Sequence, residues 1–421
     1  MRPALWLLLP PVLATIAWNS PTRGSDVTAR VVDARTRDPI SDAIVTADAR
    51  EIRTDARGEF RLPDPASAAI GVRAYGYRRL EVTTSTLHGA DAQVALTAIR
   101  VKALYLSMFG VGDAGLRNAA LRLAATTEIN ALVIDVKGDR GFIAFPRADS
   151  LAERVGAQKI ITVKDLDGLI ASVHERGLYA IARIVVFKDD LLASARPDLA
   201  VHRTNGSLFR DRENLAWTDA YNHEVWDYNI GVAVDAAKAG FDEIQFDYVR
   251  LPDERDVALP SPRTEEHREA AIDGFLTEAR AALRPFNVFL AADVFGYVCW
   301  NEDDTGIGQR LEDLMTLVDY VSPMLYPSSF QFGIPGYRNP IEHPYQIVHL
   351  SLEEALRRTH VPAVRFRPWL QAFPDYAFHG GPFTSGEVRT QIRAAEDVAT
   401  NGWMLWNPHN RYSQADLETA R

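Results

Sequence analysis

Three acidic residues recur at one relative position in three apolar, β-prone runs. In 131–137, Ala131, Val133, Asp135 and Lys137 fall on one face of an extended strand, and Leu132, Ile134 and Val136 fall on the other. The run 243–250 repeats this with Glu243, Gln245 and Asp247 opposite Ile244, Phe246 and Tyr248, and 289–295 sets Ala291 and Asp293 against Leu290, Ala292 and Val294. Burying an isolated carboxylate costs several kcal/mol, so three of them at matching strand ends require an explanation. Paired carboxyl groups are the working parts of glycosidic bond cleavage: one protonates the leaving oxygen while the other attacks the anomeric carbon or activates water. Neighbouring strands lie about 4.8 Å apart, which would bring Asp247 and Asp293 towards the roughly 5 to 5.5 Å separation of retaining enzymes. Pairing with Lys137, Arg183 and Arg250 offers a purely structural account, a salt-bridge network at the mouth of a barrel, and the pattern leaves both open.

Aromatic residues gather at the same places: Tyr105, Tyr248, Tyr297, Trp300, Tyr326, Trp369 and Trp406 lie in or near strand ends. Sugar rings pack their C–H faces on aromatic rings while their hydroxyls bond to carboxylates and amides. Core packing accounts for most such residues. Tyr326 and Trp406 are read as site residues; Gln371 and Asn407 either bond sugar hydroxyls or are turn-facing polar groups. The ten histidines form no H-x-H or H-E-x-x-H pair. The acidic stretches at 188–190 and 303–304 lack the ligand spacing of a calcium loop. Neither a metal nor a cofactor is expected.

The elements that must position these residues alternate strand with helix. Strand candidates are 101–108, 131–137, 179–187, 243–250, 289–295, 320–326, 367–373 and 402–407, with helical stretches between them such as 163–176, 223–239 and 265–283. Several helices stop at a glycine, as at Gly177, Gly240 and Gly402. Eight such units over 98–421 predict an α/β fold, a (β/α)₈ TIM barrel, and no glycine-rich nucleotide loop follows the first strand to suggest an open sheet. In a barrel the active site lies at the C-terminal ends of the strands.

Before the barrel, 25–97 has no helical period and reads as short alternating runs at 28–32, 43–47, 60–62, 70–74 and 79–83, broken by turns at Asp38-Pro39 and Asp55-Ala56-Arg57-Gly58, with 87–100 as the join. This predicts a small β-sandwich. "VVDARTRDPISDAIV", "TDARGEF" and "VRAYGY" occur in that order, and on these residues the segment resembles the carboxypeptidase regulatory-like, transthyretin-like domain. That resemblance implies packing, spacing or weak binding, with no catalytic residues. Residues 1–24 are read as a secretory signal peptide, from Arg2, an apolar run and small residues near 14–17, which places the mature protein in the periplasm or outside the cell without an integral membrane domain. A formal charge of −10 with no basic stripe argues against nucleic acid, and the single Cys299 permits no intramolecular disulfide and no thiolate cluster.

The segments "VKALYLSMFGVG", "NALVIDVKGDRG", "AIARIVVFKDD", "GFDEIQFDYVRLP", "ADVFGY" and "DYVSPMLYPSSF" carry a second resemblance, which runs through most of the barrel. On them the chain resembles a glycosyl hydrolase domain family long described as a domain of unknown function. The resemblance implies a hydrolase-like barrel related to amylase-type glycosidases, acting on carbohydrate. In that wider group a strand-4 aspartate is commonly the nucleophile, and "FDYVR" places Asp247 there. The strand-5 acid is commonly glutamate; here it is Asp293, with Glu302, Asp303 and Asp304 in the next loop as substitutes. The expected function is therefore an exported glycoside hydrolase acting on an oligo- or polysaccharide through Asp247 and Asp293. Its substrate contacts are drawn from Asp135, Lys137, Arg183, Tyr248, Arg250, Glu302, Tyr326, Gln371, Trp406 and Asn407. A non-catalytic saccharide-binding barrel is the alternative, and the aspartate at 293 is the feature that favours it.

Overall fold

The computed structural model describes residues 26–420 apart from 49, 64, 88, 90, 255, 259–261, 263, 379, 380 and 382. The expected signal peptide lies outside the described residues. The first seven strands are β1 (Val27–Asp33), β2 (Ile44–Ala47), β3 (Arg50–Arg53), β4 (Glu59–Leu62), β5 (Ala69–Arg73), β6 (Leu80–Thr83) and β7 (Gln93–Leu96). They form a three-stranded sheet, β4-β1-β7, and a four-stranded sheet, β3-β2-β5-β6. Alternation supplies their common core, with Val31, Val45, Phe60, Val72 and Leu96 all buried. Two strands escaped the sequence pattern. The sequence of β3 is Arg-Glu-Ile-Arg on an exposed sheet edge, and β7 sits inside the expected join because it pairs in parallel with distant β1.

The barrel strands follow: β8 (Val101–Leu106), β9 (Ala131–Lys137), β10 (Tyr179–Val185), β12 (Glu243–Asp247), β14 (Phe289–Phe295), β15 (Tyr320–Met324), β16 (Trp369–Gln371) and β17 (Gly402–Trp406). All are parallel, and β17 closes on β8 with Gly402 opposite Val101. A Cβ at Gly402 would sit 1.9 Å from Val101 O, so only glycine allows this seam, which is a tighter demand than the helix stop read from sequence. The short β11 (His202–Arg203) and β13 (Val257–Ala258) form a separate antiparallel ribbon. Residues Leu104, Ile134, Ile184, Ile244, Leu290 and Val321 face the helices, while Tyr105, Val133, Ile181, Phe289, Ala291 and Met404 fill the barrel. Both layers follow from the period-2 pattern.

Inside, the polar residues of β12 lie at three heights. At the bottom Glu243 accepts 2.7 Å bonds from Arg367 Nη1 at both carboxylate oxygens and a 3.0 Å bond from the Tyr179 hydroxyl, and Arg367 lies 4.4 Å over the Tyr320 ring. At mid-height Gln245 donates to the Ser322 hydroxyl at 3.1 Å. Asp247 is at the top. The β-domain docks under the bottom: Gly76 N donates to the Tyr320 hydroxyl at 3.1 Å, and Arg79 Nη2 to Gly240 O at 2.8 Å. Arg73 and Asn287 meet at 3.3 Å. The "VRAYGY" segment therefore serves as a docking face, at the end of the barrel opposite the strand C-termini.

Candidate active site

At the mouth of the barrel one guanidinium gathers three carboxyl groups. Arg183 Nη1 of β10 is 2.6 Å from Asp135 Oδ1 of β9, and its Nε is 3.0 Å from Asp247 Oδ2 of β12 and 3.7 Å from Asp293 Oδ2 of β14. Arg183 Nη2 also donates to Asp247 Oδ2. Strand register produces the cluster, since Arg183 is level with Asp135 and neighbouring strands carry their acids near the same height. Trp406 covers it: its ring lies 4.7 Å from the guanidinium carbon and stacks on Tyr105 at 3.9 Å between centroids.

One positive charge cannot balance three buried anions, so protons must remain. Asp293 holds one. Burial, and then the charge of Asp247, push its carboxyl well above the ordinary range. Trp369 Nε1 donates to its Oδ1 at 2.7 Å, and its Oδ2 has no hydrogen-bond partner. Burial also raises Asp135, against the opposing effects of Arg183 and the Tyr105 hydroxyl, which donates at 2.5 Å. Asp247 accepts from Arg183 Nε at 3.0 Å and from the Tyr248 N–H at 2.5 Å. Tyr248 takes a left-handed backbone, φ 49°, which costs a bulky residue roughly 1–2 kcal/mol. Such strain beside Asp247 marks a position the surrounding structure imposes.

Above the cluster opens a cleft of about 680 Å³ whose walls include Asp135, Arg183, Asp247, Tyr248, Tyr326 and Trp406. Asp293 lies beneath it, 1% exposed, and is not on the wall. Burial and then the charges of Asp293 and Asp247 push the Tyr326 phenol far up, so it stays a neutral donor facing both acids.

Six other residues named from the sequence do not reach the cleft. Lys137 is fully buried and ion-pairs with Asp189 at 2.9 Å, because a bulge in β9 opposite the Arg183–Ile184 step turns it towards the helices. Gln371 is consumed inside the fold, accepting from Ser328 N at 3.0 Å and donating to the Ser328 hydroxyl at 2.8 Å. Asn407 donates to Ala372 O and accepts from His409 N, closing its own turn. Glu302 is exposed and outside the cleft, while Asp304 pairs with Arg268 and caps its own loop. Among the described residues Arg250 pairs with no acid, and its guanidinium carbon lies 4.9 and 5.2 Å from the Trp217 and Tyr248 rings. The structural account of the carboxylates is thus met by Arg183 alone.

The sequence reading missed Asp139, Glu213, Phe373 and Tyr376 on the cleft wall. All lie in loops, where no periodicity points inward, although Asp139 follows β9 by two residues and falls where barrel sites are built. Among the described residues no group of three or more His, Cys, Asp or Glu side chains could hold a metal ion.

Residues 103–412 match the family described as "Putative glycosyl hydrolase domain". No curated protein matches the chain. Among solved structures, a hypothetical protein from Ruminiclostridium thermocellum is 36% identical, covering 45% of this chain and 97% of that one with a TM-score of 0.40. The glycoside hydrolase domain of PgaB (BpsB) from Bordetella bronchiseptica is 15% identical, with 76% of this chain and 99% of that one covered and a TM-score of 0.55. The latter likeness is one of fold.

Proposed function

The chain belongs to that glycosyl hydrolase family, and from this premise we propose that it cleaves an oligo- or polysaccharide at the mouth of its barrel, with Asp247 and Asp293 as the working pair. The observation that carries the proposal is the unequal pair on one guanidinium: Asp247 on the cleft wall and hydrogen-bonded to Arg183, Asp293 buried below it with its carboxyl pushed well above the ordinary range. Asp247 meets the substrate as nucleophile or base, and Asp293 supplies the proton. Both approach Arg183 Nε, at 3.0 and 3.7 Å, so they are closely set, which supports a retaining outcome over the wider, water-holding separation of inverting enzymes. Trp406, Tyr326 and Tyr376 give the sugar faces to pack on. The amino-terminal apolar run supports action outside the cytoplasm, which cell fractionation would check.

The test is incubation with a panel of glycans, followed by NMR of the fresh products. Hydrolysis with retained anomeric configuration is expected. Hydrolysis with inversion would remove the nucleophile role from Asp247. One observation favours a second reading, a saccharide-binding barrel without turnover: Asp293 has no surface on the cleft wall. Binding of glycans with no product from any of them would establish it.

A further inference from the structure

Beside the cleft lies a second cavity of about 310 Å³, and the two share Tyr248 and Glu213 as walls. A chain bound over Asp247 can therefore continue past Tyr248 without leaving the protein. Inside it, Lys188 is committed to Asp211 at 3.1 Å and to Glu213. Arg250 is not committed. Its guanidinium carbon lies 4.9 Å from the Trp217 ring and 5.2 Å from the Tyr248 ring, and among the described residues its one hydrogen bond runs from Nη1 to Leu251 O at 3.1 Å. Asp253 and Glu254 line the same cavity, yet among the described residues Arg250 forms no ion pair with either. A half-buried arginine flanked by two aromatic rings, with donors left over, can bind a planar oxyanion through two parallel bonds.

We propose that this cavity is a subsite for an acidic sugar unit, whose carboxylate Arg250 binds while the neighbouring glycosidic bond lies over Asp247. The proposal rests on the hydrolase reading for the second half of that statement only. The ligand chemistry is an oxyanion on a sugar, and carboxylate and sulfate are its two sources.

Titration calorimetry of the whole protein tests it with oligouronides, their carboxyl-reduced counterparts and sulfated oligosaccharides. Oligouronides should bind at least about tenfold more tightly than the reduced forms, as a charge-assisted bond implies. The preference should weaken with added salt. It should disappear in Arg250→Gln and survive in part in Arg250→Lys, with circular dichroism confirming the fold. Tighter binding of the sulfated set would keep the oxyanion site and replace the carboxylate as its ligand. Equal affinity for acidic and neutral members overturns the proposal, as does binding of none. If a neutral glycan is nevertheless hydrolysed, only this subsite falls. If the acidic preference holds and nothing is hydrolysed, the subsite stands and the hydrolase reading falls.

Discussion

The two ends of the barrel use the same ingredients to opposite effect. At the closed end Glu243 and Arg367, each fully buried, meet one to one through both carboxylate oxygens, and the docked β-domain lies beneath. At the open end Arg183 faces Asp135, Asp247 and Asp293 together, and one of these keeps a proton under an open cleft. A satisfied pair holds a fold together; a pair with excess acid is held ready to exchange protons. The contrast shows that a buried carboxylate at a strand position becomes a functional candidate when its charge is left unbalanced.

Breaking the closed end should have the largest effect on stability. Arg367→Met leaves Glu243 buried without its partner and should cost about 3–5 kcal/mol, read by urea unfolding, while each folded molecule keeps its turnover. Arg183→Met at the open end should cost less, about 1–3 kcal/mol, because Asp135 and Asp247 line the cleft, where solvent can reach them. If the second loss exceeded the first, the open end would be the structural one.

Asp293→Asn sharpens the contrast further. A carboxyl whose folded pKa lies above its unfolded value binds its proton more tightly when folded. Stability is then lost as pH rises from the unfolded value to the folded one. The amide mimics the protonated acid and escapes that loss, so the variant should match wild type in acid and melt higher as pH rises. Its turnover of glycans with poor leaving groups should fall. An unchanged melting profile would show that Asp293 ionises as an ordinary surface carboxylate does.

Removing 27–96 should leave the chemistry of each folded molecule unchanged, as Arg367→Met should. Arg79 and Tyr75 contact only the bottom of the barrel, so turnover per folded molecule should persist while the melting temperature falls with the loss of the Arg79–Asp242 and Gly76–Tyr320 contacts. Failure to recover a folded barrel would make the two parts one cooperative unit.

What the sequence made legible was whatever depends on period two. The inward rows of β9, β12 and β14 and the barrel itself followed from alternation, and so did the gathering of Asp135, Asp247 and Asp293 at one end; that Arg183 alone of three basic candidates pairs with them did not. Alternation fails where the backbone departs from it. The bulge in β9 turned Lys137 away, and the charged edge strand β3 carried no apolar signal. Loop residues such as Asp139 and Tyr376 have no period to read, and Gln371 looked available only because its partner Ser328 lies 43 positions away.

If Asp247 performs the chemistry of the open end, Asp247→Asn removes it. The amide keeps one oxygen, so it can accept from Arg183 or from Tyr248 N–H but not from both; losing one such bond should leave the fold standing, but the amide cannot serve as nucleophile or base. Turnover of the glycan that wild type cleaves best should fall on the order of 10³-fold or more, with the melting temperature nearly unchanged. A folded variant turning over at the wild-type rate would contradict the account.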